Sequence, residues 1–513
     1  MIKTKILWIV SFYFLLLNFC ANAQLVLPRS SPEAEGVSSE EIISFLDAAA
    51  KSKHEFHSIM ILRHGKVILE KWWSPYRPEL KHTMYSLSKS FTATAVGFAV
   101  AEKRLTLTDK VVSFFPNDLP DTLNPFLSAL TVRDVLSMSI GQEPDPTFTT
   151  VVRDSNWVKG FLATPVKYNP GTKFLYNSLG TYILSAIVQK VTGEKIIDYL
   201  RPRLFEPLGI QGMDWEIDPR DINTGGWGLR LKTEDMAKFG QLFLSMGNWN
   251  GKQILPRKWI EEASTFKIAQ DPGAPQAKKD SSDWLQGYCY QMWRCRFNAF
   301  RGDGAYGQFV IVMPEQDAVI AITAETPDMQ GEINLVWDYL LPAMKKDKAA
   351  LNGKAISSLK EKLPSLDLSA PEKTASSSIE KNISGKTFTI DANEKHIGNL
   401  LLEFKDGQCS LTLKTDTVDY RLNFGSGRWQ EGETTRHGSD LLMKAKANLV
   451  GLPSFKVDGA YNWKNDTTLE LRLRYIESPH TETFICRFDN NNIAVEMKNS
   501  FNGEKLVLNG RMD

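Results

Sequence analysis

The sequence predicts an α+β or α/β domain, with an antiparallel sheet flanked by helices, followed by an all-β domain. Strand patterns lie at both ends of residues 24–346, and helical patterns lie between them. A polar stretch follows, and residues 383–513 then show short alternating strands separated by turns. At about 150 residues per domain, a chain of 513 residues has room for this arrangement. The pattern change near residue 347 therefore marks the predicted boundary.

Residues 1–23 have the pattern of a secretory signal. Two lysines precede an apolar run over residues 6–17, and a small-x-small end follows, which predicts cleavage after Ala23. The run is shorter than the ~20 residues that span a bilayer. Lipidation at Cys20 is an alternative that the bulky Phe19 disfavours. We therefore predict an exported protein, periplasmic or secreted.

Composition and charge exclude several classes of protein. Hydrophobic residues make up 42% and charged residues 24% of the chain, which excludes wholesale disorder, collagen and a polytopic membrane protein. The net charge of +1 gives no electrostatic reason to expect a nucleic-acid partner. Residues 83–395 contain no histidine, so a hydrolase with a histidine base would have to take it from either end of the chain.

The first predicted domain, residues 24–346, begins and ends with strands. Residues 57–70 predict two strands around a turn at 63–66, and residues 307–323 predict two more. The helical patterns between them cover Thr83–Ala101, Leu179–Thr192 and Thr233–Gly247. We expect the first and last strands to share one sheet.

Residues 347–382 are polar and poor in aromatic residues, which predicts a linker that can contain a short helix. The last region then predicts an antiparallel barrel or sandwich. We interpret it as a structural or substrate-contacting accessory domain. Its predicted strands are Gly398–Phe404, Cys409–Leu413, Tyr420–Phe424, Leu441–Ala445, Thr468–Tyr475, Thr483–Phe488, Ile493–Met497 and Leu506–Leu508.

Four cysteines remain after residue 23, and an exported protein can form disulfides. Cys409 and Cys486 lie in strand-like segments and could pair. A bond between Cys289 and Cys295 would need a turn between them. Buried free thiols are the alternative, since no cysteine pair has zinc-ligand spacing with histidines.

Ser86 and Lys89 are the first candidate catalytic residues. They are three residues apart in a predicted helix, so they share one face. Lys89 is the only charged residue from Met84 to Ala101, and an apolar environment lowers the pKa of a lysine. Such a lysine can accept a proton from a neighbouring hydroxyl. Ser-x-x-Lys occurs four times here, but the other three lie in polar segments. A helix start with Lys89 reaching outward is the alternative.

Two further segments complete the candidate site. Tyr176 precedes a predicted helix, where its hydroxyl can project into a cleft and relay protons if cations lower its pKa. Residues 301–308, Arg-Gly-Asp-Gly-Ala-Tyr-Gly-Gln, lead into a strand and let backbone approach a ligand closely. A strand edge at this position can donate an N–H to an oxyanion. The structural alternatives are a buried tyrosine and a glycine-rich hairpin.

In this order and spacing, the three segments resemble the serine β-lactamase and penicillin-binding-protein superfamily. The resemblance covers roughly residues 30–345 and is strongest to the branch of class C β-lactamases, family VIII esterases and 6-aminohexanoate-dimer hydrolases. It implies an esterase- or amidase-like serine hydrolase that forms an acyl-enzyme. By this resemblance Ser86 attacks the carbonyl carbon, and Lys89 and Tyr176 transfer protons. The resemblance also implies that the Ser86 N–H and a backbone N–H near Ala305, in the segment with Gly304, hold the oxyanion.

The sequence departs from the superfamily pattern twice. Tyr176-Asn177-Ser178 replaces Tyr-x-Asn and is similar to the aminohexanoate-dimer hydrolase form, with Ser178 in the site. Gly302-Asp303-Gly304 falls on Lys-Thr-Gly, so the cation that helps hold a substrate carboxylate is missing. Arg301 is one residue away and is predicted to replace it. The missing cation argues against efficient β-lactam hydrolysis.

Other classes explain the sequence less well. A penicillin-binding or cell-wall-sensing protein with weak turnover is one alternative, and a D,D-peptidase acting on peptidoglycan peptides is another. A Ser-His-Asp hydrolase lacks Gly-x-Ser-x-Gly and a central histidine. The pair His54 and His57 is interpreted as solvated surface, so neither a metal nor a cofactor is predicted.

Overall fold

The computed structural model describes residues 26–344, 349–442, 444–447 and 452–512. The predicted signal segment and its cleavage position lie outside these residues. Within the described part of the chain, no helix has the length and apolar character needed to cross a membrane.

A six-stranded antiparallel sheet forms the centre of the first domain. Its spatial order is β2-β1-β6-β5-β4-β3, so the first strand lies beside the last, as predicted. In the ladder between β1 and β6, Ile59 pairs with Ile322 and Ile61 pairs with Ile320. The strands are β1 Glu55–Arg63, β2 Lys66–Trp72, β3 Trp293–Arg294, β4 Phe300–Gly304, β5 Gln308–Met313 and β6 Ala318–Glu325.

Helices cover both faces of this sheet. The five longest are α1 Ser39–Lys51, α2 Ser88–Ala101, α3 Ser178–Thr192, α4 Thr233–Leu244 and α5 Gly353–Ser365. Shorter helices span Val111–Phe114, Pro125–Ala129, Val132–Leu136, Thr147–Arg153, Trp157–Ala163, Ile196–Leu200, Glu206–Leu208, Arg257–Ser264, Gln276–Ser281, Met329–Leu335, Leu341–Ala343 and Glu380–Ile383. Short strands at His82–Thr83, Leu229–Leu231 and Asp214–Trp215 form a small second sheet, and Asn248–Trp249 pairs with Lys252–Gln253.

Alternation along β1 builds two hydrophobic cores. Met60 and Leu62 point to the core that contains α2 and α4, whereas Ile59 and Ile61 point to the core that contains α1. Successive side chains of a strand face opposite sides, so one strand contributes to both layers. Helix α2 is buried along almost its whole length, which explains its apolar sequence on every face.

The predicted helix from Thr83 to Ala101 is wrong at its start. Thr83 belongs to a short strand, residues Tyr85–Leu87 form a 3-10 turn, and α2 begins only at Ser88. Tyr85 has a left-handed backbone, with a φ of 46°, which an α-helix does not accept. The other two long helices lie within three residues of their predicted ends.

The segment predicted as a linker is partly structured. Helix α5 is longer than the short helix that we expected, and it packs on α1. Leu359 is buried in the core that contains α1, and Lys362 Nζ donates to Asp47 Oδ1 at 2.5 Å. The domain boundaries at residues 346 and 383 stay predictions.

The last region forms a closed barrel of nine antiparallel strands, except for one parallel contact that closes it. Gly425 and Ser426, at the end of the strand Asp419–Ser426, pair in parallel with the strand Phe455–Asn465. A tenth strand, Gln430–Thr434, pairs antiparallel with Phe455–Asn465. The strands are β7 Lys386–Ile390, β8 Ile397–Lys405, β9 Gln408–Thr415, β10 Asp419–Ser426, β11 Gln430–Thr434, β12 Phe455–Asn465, β13 Thr468–Tyr475, β14 Thr481–Asp489, β15 Asn492–Asn499 and β16 Lys505–Met512.

Two predictions for this region need correction. The described residues of Leu441–Ala445 form turns rather than a strand, and their apolar side chains pack against the first domain instead of filling the barrel. Strands β7, β11 and β12 were not predicted. The four described cysteines are free and buried, so of the two possibilities for Cys409 and Cys486 the structure has buried free thiols and not a disulfide. Trp463 and Tyr475 lie in the barrel core, as predicted.

Buried polar contacts join the barrel to the first domain. Arg474 of the barrel donates both terminal nitrogens to Glu55 at 2.6 and 3.0 Å. Glu55 also faces His57 Nε2, at 3.2 Å. His57 is fully buried and stacks on Tyr76, with ring centroids 3.9 Å apart. His54 is 9% exposed, so the interpretation of this histidine pair as solvated surface is wrong.

Candidate active site

The candidate nucleophile lies on a tight turn at the start of α2. Ser86 is the central residue of the 3-10 turn and is partly exposed. Residues three apart lie on one face both in a 3-10 turn and in the α-helix that follows it here. Lys89 Nζ consequently lies 3.0 Å from Ser86 Oγ. The pair meets as the spacing predicts, although the local structure is a turn followed by a helix.

Lys89 is almost completely buried, with 1% of its surface exposed. Its ammonium nitrogen also donates to Ser178 Oγ at 3.0 Å and to the carbonyl of Gly226 at 2.7 Å. Burial lowers the pKa of Lys89 to about 7, although the carboxylates of Asp145 and Asp303 oppose this. Near neutral pH a substantial fraction of this amine is therefore uncharged and able to accept a proton.

Tyr176 places its ring next to the amine of Lys89. The Lys89 nitrogen is 4.8 Å from the centroid of its ring, and the ring stacks on Trp293 with centroids 5.6 Å apart. Burial and then the negative charge of Asp303 raise the pKa of Tyr176, while a hydrogen bond with Ser86 opposes them. The phenol is therefore neutral, contrary to the expectation that cations would lower its pKa. It can donate or relay a proton but does not serve as a resting base.

A small cavity of about 50 Å³ opens beside Ser86. Ala305, the residue that follows β4, borders it. Gly304 brings β4 close to the nucleophile turn, because a methyl group there would collide with the carbonyl oxygen of Met84. The cavity is lined by Tyr85, Ser86, Thr147, Phe148, Ser178, Gly226, Trp227, Ala305, Leu441 and Leu442.

The placement of Arg301 contradicts its predicted contact with substrate. Its side chain is fully buried, and its Nε donates to Asp303 Oδ2 at 3.0 Å. The guanidinium also donates to the carbonyl of Asp283 at 2.8 Å and lies 4.3 Å from the centre of the Trp284 ring. The cation is thus neutralised inside the domain and does not border the cavity.

Sequence reasoning missed several residues that shape the site. Asp145 and Asp303 supply negative charge near Lys89, and Gly226 accepts a hydrogen bond from it. Asp145 carries no distinctive spacing to the Ser86 motif, and the sequence identifies Asp303 only as part of Gly302-Asp303-Gly304, without its effect on Lys89. The Gly225-Gly226 pair could have been noticed, since paired glycines allow close backbone approach. Leu441 and Leu442 come from the barrel, which no local pattern connects to the site.

The region that holds this site matches a known protein family. The Beta-lactamase family profile matches residues 51–341, more than half of the chain. The chain belongs to the Beta-lactamase family. The profile covers Ser86, Lys89, Tyr176 and the β4 strand together. The resemblance inferred from the sequence is therefore confirmed, and it identifies a family of hydrolases.

Individual relatives are distant. The 6-aminohexanoate-dimer hydrolase of Paenarthrobacter ureafaciens is 25% identical over 293 residues, covering 53% of this chain and 73% of its own. A protein of Escherichia coli K12 with the provisional name D-alanyl-D-alanine carboxypeptidase is 22% identical over 36% of this chain, and the match spans only 49% of that protein. A solved Bacillus anthracis structure, provisionally named 6-aminohexanoate-dimer hydrolase, has a TM-score of 0.51 at 22% identity. It covers 61% of this chain and 86% of its own, which shows a shared fold.

Proposed function

We propose that the protein is an exported serine hydrolase that cleaves an amide or ester bond through an acyl-enzyme. The observation that carries this proposal is the contact of 3.0 Å between Lys89 Nζ and Ser86 Oγ, in a site that lowers the pKa of the lysine to about 7. A base next to a hydroxyl nucleophile is the arrangement that covalent acyl transfer requires. Relatives named as amide and peptide hydrolases support the same reaction class.

In the proposed reaction, Ser86 Oγ attacks the carbonyl carbon while its proton passes to the neutral amine of Lys89. The N–H groups of Ser86 and Ala305 stabilise the oxyanion. Lys89 then returns the proton to the leaving nitrogen or oxygen, and the neutral phenol of Tyr176 relays it. A water molecule releases the acyl group by the same steps in reverse order. The hydroxyl of Ser178 accepts a hydrogen bond from Lys89 and so holds the amine beside Ser86.

The cavity favours a substrate with a small neutral acyl group. Phe148, Trp227, Leu441 and Leu442 supply apolar walls, and among the described residues that line the cavity none is charged. A substrate carboxylate would have no cation there, because Arg301 is held by Asp303. We therefore propose linear amides or short esters rather than β-lactams.

Labelling with a fluorophosphonate probe tests the proposal. The wild type should react and Ser86→Ala should not, since the probe phosphonylates an activated serine. Equal labelling of the two proteins would refute Ser86 as the nucleophile. A parallel screen of nitrocefin, short acyl esters, D-amino-acid peptides and linear amides, each with the Ser86→Ala control, would identify the substrate class.

A D,D-peptidase or a penicillin-binding protein with weak turnover is the second candidate. The Escherichia coli relative carries a D-alanyl-D-alanine carboxypeptidase name, and this is the observation in its favour. Stable acylation of Ser86 by fluorescent penicillin, without hydrolysis, would support this candidate. Rapid turnover of a small ester or amide would exclude it.

Export is proposed from the signal-like residues 1–23 alone. Expression in a Gram-negative host should give an extracytoplasmic protein whose first residue is Gln24. N-terminal sequencing of that fraction tests the proposal. A lipidated Cys20 at the amino terminus would instead establish the anchored form.

A further inference from the structure

Tyr85, the residue before the nucleophile, is held by the barrel. Its hydroxyl lies 2.6 Å from His480 Nε2, and His480 belongs to the turn between β13 and β14 of the barrel. His480 Nδ1 lies 2.7 Å from Glu325 Oε1. A carboxylate only accepts hydrogen bonds, so His480 Nδ1 carries a proton that points at Glu325. The three residues form a continuous chain from β6 to the Ser86 turn.

The backbone of Tyr85 needs such support. A φ of 46° is uncommon for a bulky residue, and a left-handed backbone persists only where its surroundings hold it. The carbonyl of Tyr85 accepts a hydrogen bond from Ser88 Oγ at 2.6 Å. Its side chain is 3% exposed. The residue is thus held at its carbonyl by α2 and at its hydroxyl by the barrel.

A second barrel segment reaches the same hydroxyl. Asp440 and the backbone of Leu441 both interact with it, and Asp440 Oδ1 accepts a hydrogen bond from the N–H of Leu442 at 2.7 Å. Leu441 and Leu442 line the cavity beside Ser86. One hydroxyl therefore connects the nucleophile turn to both barrel segments that approach the site.

We infer that the barrel completes the active site: His480 is a positioning residue that fixes the Ser86 turn through the Tyr85 hydroxyl, while Leu441 and Leu442 close the cavity. This inference rests on the proposed function of Ser86. It assigns to the barrel a role in the reaction rate, beyond that of a structural accessory. The histidine that the central part of the chain lacks is thus supplied from its end, as a support rather than as the base.

Tyr76 offers a matched control for Tyr85. It is a buried tyrosine of the same domain, 5% exposed, and its hydroxyl donates to the carbonyl of Ser478 at 3.1 Å. Both tyrosines thus bind the same barrel turn, but only Tyr85 adjoins Ser86. Tyr76→Phe and Tyr85→Phe each remove one hydroxyl from the interface between the domains.

The experiment measures the fluorophosphonate labelling rate of the full-length variants. Tyr85→Phe and His480→Leu should lower the rate about tenfold or more, since a displaced nucleophile loses its alignment. Tyr76→Phe should stay within about twofold of wild type. His480→Gln, which retains polar atoms, should recover part of the loss. For any ester that the wild type hydrolyses, Tyr85→Phe should lower kcat more than it raises KM.

Thermal unfolding of each variant separates positioning from stability. Equal rates for Tyr85→Phe and wild type would overturn the inference, and so would equal losses in Tyr85→Phe and Tyr76→Phe. If His480→Leu fails to fold, the comparison of Tyr85→Phe with Tyr76→Phe still tests the inference. If wild-type labelling is not lost in Ser86→Ala, the proposed function fails first and the inference fails with it.

Discussion

At the scale of single residues, the protonation state of Lys89 controls the proposed reaction. Burial lowers its pKa to about 7, and only the neutral amine accepts the Ser86 proton. As the pH is raised toward 7, the labelling rate should therefore increase about tenfold for each pH unit, and above pH 7 it should level off. Stopped-time labelling across this pH range measures the profile, with Ser86→Ala as the background. A rate independent of pH between about 5 and about 9 would show that Lys89 is not the base.

Asp303 should set where that titration occurs. Its negative charge raises the pKa of Lys89, so Asp303→Asn should shift the labelling profile to lower pH. The same change leaves the buried cation of Arg301 without its partner. Breaking a buried pair in this way lowers the free energy of unfolding by about 3 kcal/mol. Asp406→Asn, at an exposed barrel turn, is the matched control and should change neither quantity. An unshifted profile would contradict the electrostatic role of Asp303.

At the scale of elements, the sheet and the main helices could be predicted because their patterns are local. Alternating or continuous apolar runs identify β1, β2, β5 and β6. The start of α2 could not be predicted, because the left-handed backbone of Tyr85 depends on contacts with Ser88 and with the barrel. Local helix propensity would extend α2 back to Thr83, but the tertiary contacts of Tyr85 prevent this. The Ser86–Lys89 pairing survived this error because both helix types bring residues three apart together.

The close approach of β4 to the nucleophile turn gives the prediction at this scale. A methyl group on Gly304 would collide with the carbonyl of Met84. Gly304→Ala should therefore push β4 away from Ser86, displace the Ala305 N–H and lower the labelling rate by about a hundredfold. Gly398→Ala in β8 meets no atom within 4 Å and should leave labelling unchanged. Labelling of Gly304→Ala at the wild-type rate would show that β4 has no part in the oxyanion site.

At the scale of the whole molecule, the contact between the barrel and the candidate active site could not be predicted from the sequence. The strand periodicity predicts a barrel or sandwich, but it does not specify which turns face the first domain. The apolar pair Leu441 and Leu442 suggested a strand, but these side chains line the cavity, and Leu442 also packs against the core of the first domain. Arg301 likewise lies one residue from the sequence position of a substrate-binding cation, and only the fold shows that Asp303 neutralises it.

The contact between Arg474 and Glu55 should stabilise the joined domains. Burial raises the pKa of the Glu55 carboxyl, but hydrogen bonds from His57 and Arg474, together with their charges, outweigh it and hold the pKa below its usual range. Its stabilisation is therefore present above about pH 4.5, the ordinary pKa of glutamate, and is lost as the pH falls further. Arg474 is 9% exposed, whereas the Glu55 side chain is 33% exposed. We expect Arg474→Met to lower the free energy of unfolding by about 2 kcal/mol at neutral pH, between the values of surface and buried pairs.

Denaturant unfolding of the full chain at several pH values measures this contribution. The loss caused by Arg474→Met should shrink as the pH falls below about 4.5, because the protonated Glu55 no longer attracts the arginine. Arg77→Met removes a second ion pair between the domains, with Glu431, whose side chain is 57% exposed. That control should cost less than about 1 kcal/mol at any pH. Equal losses in the two variants would mean that the buried cluster around Glu55 adds nothing beyond an ordinary surface pair. The labelling rate of Arg474→Met should stay near that of wild type, since His480 rather than Arg474 contacts the Ser86 turn.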